Sequence, residues 1–167
     1  MPYARLALII AVATLVIFCV SYLNVYQADH IWLSAGRLWM AVAAGAAVAA
    51  ALVAFSPDVY RSGPANSVIV AAAITVFAAA AWLVRTQDGV HEMTFLRAMI
   101  PHHSAAILMA ERAQLRDPRV RELARRIVTD QMQEISEMER LIADLERTGG
   151  RPAPAQPRDG QSKTVSR

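Results

Sequence analysis

Apolar residues form three long unbroken runs in the first half of the chain and helical stripes in the second. The runs extend from about Tyr3 to Val25, from about Leu38 to Phe55 and from about Ala65 to Val84. Each approaches the roughly twenty residues that an α-helix needs to cross about 30 Å of hydrocarbon. None shows the alternation or turn chemistry of strands. Alanine-rich windows such as Met40–Ala54 and Val70–Ala81 suit helices that approach closely, because small residues do the packing between membrane helices. Only run one has the position of a cleaved signal peptide. It carries just Arg5 ahead of its apolar stretch and no small-x-small site follows, so it is expected to be a retained helix.

The second half reads as two helices. Thr86–Gly89 is a linker that also offers helix-starting residues, and a helix is expected from about Val90 to Leu115, with Pro101 disturbing one turn. Asp117 followed by Pro118 is an N-cap with proline at the first helical position. The second helix should run to Glu146 or Arg147, where Gly149 and Gly150 stop it. The expected class is therefore all-α, with a transmembrane region over 1–85, a helical hairpin over 86–147 and a Pro/Gly/Gln/Ser-rich disordered tail over 148–167.

Charge sharpens this division. Of 17 Lys plus Arg and 14 Asp plus Glu, only Arg5, Asp29, Arg37, Asp58 and Arg61 precede Arg85. The later charges interleave in sign along helices, with no aromatic platform beside them, which argues against nucleic acid as a partner despite a sequence pI near 9.5. Tyr22, Tyr26, Trp32 and Trp39 bracket the first connection, and Trp82 marks the end of run three, as interface rings do. Three spans place His30, Arg85 and His91 at one aqueous face, while the flanking charges leave the orientation open. Cys19, the single cysteine, has no internal partner and is read as a buried small hydrophobe.

Candidate chemistry lies in the hairpin. On its second helix Val120, Leu123, Ala124, Ile127, Ile135, Met138, Leu141, Ile142 and Leu145 share a face that Gln131 and Glu134 interrupt. A carboxylate on such a stripe needs a partner. On the first helix His91, Phe95, Met99, His102, Ala106 and Met109 share a face, with Glu92 and His103 just beside it. Imidazole with thioether favours Cu(I) or Ag(I), and imidazole with carboxylate suits Cu(II) or Zn(II). The candidate metal ligands are thus His91, Met99, His102, His103, Met109, Gln131, Glu134 and Met138, with Cu(I) preferred over Cu(II). The competing reading gives the same side chains to a metal-free, buried His/Gln/Glu network and the methionines to core packing. No Glu-x-x-His pair, His-Glu-x-x-His motif or glycine-rich phosphate loop accompanies them, so no catalytic residue is assigned.

The stretch Phe95–Ala110 carries Met-x-x-His-His-x-x-Ala-x-x-Met-Ala, and Gln131–Met138 carries Gln-x-x-Glu-Ile-x-x-Met. With these motifs, residues 90–145 resemble the bacterial DUF305 family. The resemblance implies a ferritin-like helical domain of an exported or membrane-anchored protein, with a copper or silver association in some members. It implies that the hairpin faces the periplasm or exterior of an inner (plasma) membrane, with the N-terminus inside. It also points to Met99, His102, His103, Met109, Gln131, Glu134 and Met138 as the motif positions. Larger members contain two such helical pairs and this chain has one, so a homodimer completing a four-helix bundle, or packing on the membrane helices, is expected. Two functions follow: a membrane-anchored copper-binding protein of metal homeostasis or resistance, working with an envelope metal-handling partner, or a membrane-anchored oligomerisation module without metal.

Overall fold

A computed structural model of the protein describes residues 2–150 and contains five α-helices and, among those residues, no strand. They are α1 (Pro2–Val20), α2 (Ala35–Phe55), α3 (Gly63–Thr86), α4 (Glu92–Arg112) and α5 (Pro118–Thr148), with a 3-10 turn at Ala28–His30. The tail expected to be disordered lies, from residue 151, outside the described residues.

The first three helices are long and apolar enough to cross a membrane. α2 packs against both neighbours, and its buried face is built from Ala41, Ala43, Gly45, Ala46, Ala49 and Val53. A Cβ on Gly45 would collide with Oγ1 of Thr14 on α1, so the missing side chain is what lets the two backbones approach. At the end remote from the hairpin, Tyr3 donates to Oδ1 of Asn66 at 3.0 Å and Asn66 donates to the carbonyl of Tyr60 at 2.7 Å. Most other α1 side chains are exposed. Cys19 is among them, so it faces outward and is not the buried hydrophobe its apolar surroundings suggested.

Helix ends follow local chemistry. α1 stops at Val20, five residues before its apolar run ends, because the amides of Tyr22 and Leu23 turn to carbonyls three residues back. Asp117 caps α5 by accepting the Arg119 amide at 2.8 Å. At the other end Gly149 takes a left-handed φ of 64° and the Gly150 amide returns to the carbonyl of Leu145. Pro101 does not break α4, which is continuous across it.

α4 and α5 pack side by side and antiparallel, with Arg97 paired to Glu146 and His103 to Glu134. Leu96, Ile100 and Ile107 meet Ile135, Met138 and Ile142 in one core, and Ile100 and Ile107 are fully buried. Tyr26 and Trp32 pack against this core from the α1–α2 connection. They belong to the hairpin's packing as much as to any interface belt, which their position in the sequence did not disclose.

Candidate functional site

Ser104 sits on the buried stripe of α4, between Ile100 and Ile107 at helical spacing, and its side chain is wholly buried. A hydroxyl there must be satisfied. Its Oγ accepts the backbone amide of Tyr26 at 2.8 Å and lies 3.0 Å from Nδ1 of His30. His30 is itself buried, held beneath the hairpin at the end of the apolar helices where Arg85 and His91 also stand. The 3-10 turn brings it inward, and Ser104 gives the imidazole the partner that burial demands.

Further groups tighten the clasp. The guanidinium of Arg97 lies 5.2 Å from the ring centre of Trp32. Arg37, in the first turn of α2, donates to the carbonyl of Ser21 and, at 3.3 Å, to the carbonyl of Pro101, while lying over the ring of Tyr22. Tyr22 accepts the amide of Ser34 and donates to the carbonyl of Trp32, both at 3.0 Å. The α1–α2 connection is thereby fastened to α4 by side chains from three elements.

A second polar chain crosses the hairpin. His103 Nδ1 lies 2.9 Å from the carbonyl of Met99, and Nε2 lies 2.8 Å from Oε2 of Glu134. Gln131 donates to the same carboxylate oxygen at 3.1 Å. Gln131 and Glu134, which broke the apolar stripe of α5, are the residues that meet His103. Glu134 is half exposed, so the chain lies at the edge of the core and not within it.

The copper expectation is overturned by this geometry. Among the described residues, no three His, Cys, Asp or Glu side chains gather closely enough to hold a metal ion. His102 and His103 are adjacent on a helix and therefore diverge, their rings 6.0 Å apart and inclined by 65°. Both nitrogens of His103 face protein acceptors. His102 turns toward the neighbouring ends of α1, α2 and α3. Met138 lies in the apolar core, Met99 packs against it and Met109 is 70% exposed. His91 precedes α4 and lines a separate cavity of about 600 Å3 with Phe95 and Leu141. Helical spacing put the residues on neighbouring faces, and the neighbouring faces serve different packing partners. His30 and Ser104 were missed for the opposite reason. Ser104 carried a signal, as a polar position on an apolar stripe, whereas His30 is joined to it only by tertiary folding.

An all-α chain with three membrane-length helices and a polar-clasped helical pair is the class that fold and site define. The family model described as "Domain of unknown function (DUF305)" matches residues 77–162. This protein belongs to that family. A protein of Acanthamoeba polyphaga mimivirus named "Uncharacterized protein L153" is 37% identical over 71 residues, which are 41% of this chain and 47% of the viral protein. The chain thus spans about half the length of that relative. No solved structure matches.

Proposed function

We propose that this protein is a membrane-anchored assembly module whose hairpin pairs with the hairpin of a second copy to complete a ferritin-like four-helix bundle. The observation that carries the reading is an apolar stripe left open beside the His103–Glu134–Gln131 chain. Leu123, Ile127 and Leu141 are exposed, and at 100° per residue they fall within about 40° of one another and flank Glu134. On α4, Phe95 is half exposed and lines one cavity with Leu141, which places both helices' open apolar positions on one side. Such a stripe on a helix of 31 residues is the face a helical partner covers.

The polar chain then serves specificity. A charged hydrogen-bonded group at the edge of an apolar face is costly to bury unless a partner arrives in register, so it selects one pairing over slipped ones. Three membrane-length helices hold each copy at the bilayer and raise its local concentration. The family resemblance favours a hairpin directed to the periplasm or exterior.

The test is the mass of the detergent-purified protein by light scattering at micromolar concentration, beside an Ile127→Asp/Leu141→Asp variant. A dimer that becomes a monomer in the variant, with helical circular dichroism unchanged, supports the module. A monomer in both proteins overturns it.

A further inference from the structure

Beneath the hairpin, adjoining ends of α1, α2 and α3 line an open cavity of about 510 Å3. Its size is that of a small-molecule site, about 300–1,000 Å3. Its walls are ordered by helical spacing. Arg37, Met40, Ala41 and Ala44 recur along one face of α2, Ile17 and Ser21 come from α1, and Val84 closes it from α3. Ala98 and His102, one turn apart on α4, form the roof. The lining below Arg37 is apolar and built largely from small side chains, so the space is a slot between helices with a polar mouth.

Arg37 gives the mouth its chemistry. It is part-buried, yet none of the ion pairs among the described residues includes it; those join Arg97–Glu146, His103–Glu134, Arg119–Asp117, Arg125–Glu122 and Arg147–Asp144. Its side-chain hydrogen bonds go to two neutral carbonyls, which use two of five N–H donors, and its other partner is the face of the Tyr22 ring, so no acidic side chain balances the charge. It stands in the first turn of α2, which holds no acidic residue, so the helix's positive end adds to it. His102 is exposed on the same cavity.

We propose that this cavity binds an anionic phospholipid, with its phosphate at Arg37 and His102 and one acyl chain along Met40, Ala41 and Ala44. A guanidinium at the end of a membrane helix is at headgroup depth, and the slot beneath it runs toward hydrocarbon. The ligand would compensate a charge that the protein leaves unpaired. It would also bridge α2 and α4, joining the membrane helices to the hairpin.

The experiment is native mass spectrometry of the delipidated full-length protein, titrated with phosphatidylglycerol, with phosphatidylcholine of the same chains, and with glycerol 3-phosphate. Phosphatidylglycerol is expected to bind at least about fivefold more tightly than phosphatidylcholine, the scale of one cation near an anionic headgroup. Glycerol 3-phosphate should not bind at the same concentration. Arg37→Gln should remove the preference, and Ala44→Leu, which keeps the guanidinium but fills the slot, should weaken binding of both lipids. If Arg37→Gln does not fold, Ala44→Leu and His102→Ala decide. Equal binding of the two lipids by the native protein, unchanged lipid binding in Ala44→Leu, or binding of glycerol 3-phosphate as tight as the lipid overturns the proposal.

Discussion

His103 stands between two acceptors, 2.8 Å from the carboxylate of Glu134 and 2.9 Å from the carbonyl of Met99. Its imidazole is thereby fixed as a cross-link between α4 and α5. Because Glu134 is half exposed, solvent screening limits what the pair contributes. The coupling between the two residues, read from a His103→Ala/Glu134→Ala double-mutant cycle in thermal unfolding, should be no more than about 1 kcal/mol. A coupling several times larger would show that the pair is buried in the assembled protein.

Ser104 should matter more. Ser104→Ala leaves the Tyr26 amide and the His30 ring without their buried partner, a penalty of about 1–3 kcal/mol. Hydrogen exchange at the Tyr26 amide should accelerate in the variant while amides in α2 and α3 stay protected. Unchanged exchange at Tyr26 would mean that the connection does not rest on the hydroxyl.

The hairpin core gives a third expectation. Ile107 has no exposed surface, and Ile107→Ala should destabilise α4–α5 by about 2–5 kcal/mol through lost transfer energy and a residual cavity. Chemical denaturation followed by circular dichroism would read it. Leu123→Ala, at an exposed position, should cost far less in the monomer.

Between α1 and α2, Gly45→Val should be disruptive, because any Cβ at that position meets Thr14. Cross-linking between cysteines placed on α1 and α2 should fall in the variant. The double change Gly45→Ala/Thr14→Ala should restore part of it by reopening the space.

The start of α5 should respond to acid. The Arg119 side chain and backbone amide hold the Asp117 carboxyl below the ordinary carboxylate value of 3.8. A depressed value means that the cap's contribution is present above pH 3.8 and is lost as pH falls through the folded-state value. Exchange of the Arg119 amide should rise in that acid window and become pH-independent there, apart from intrinsic chemistry, in Asp117→Asn. Asparagine retains the capping oxygen without the charge.

Much of this protein was legible from local pattern. Uninterrupted apolar runs of near-membrane length require helices, since no other open element satisfies its backbone in hydrocarbon, and α1 to α3 follow them. Asp117-Pro118 and Gly149 act at single positions through cap geometry, so α5 begins and ends where they stand. Gln131 and Glu134 announced a polar contact by interrupting a stripe, and the Met-x-x-His-His and Gln-x-x-Glu-Ile motifs pointed to the family whose model matches.

The same pattern could not choose partners. Spacing on a helix states which residues share a face, but not what that face meets, and this is why His102, His103, Met99 and Met109 looked like one metal site. Tertiary packing divides them among the membrane-side cavity, Glu134, the core and solvent. It also joins His30 to Ser104 across 74 positions and turns Arg37 toward Pro101. By itself the sequence determined the helices, their caps and their apolar faces, because those depend on neighbours within a turn or two of chain. Only the folded chain decided which polar groups satisfy one another, because burial imposes that demand and distant elements must answer it.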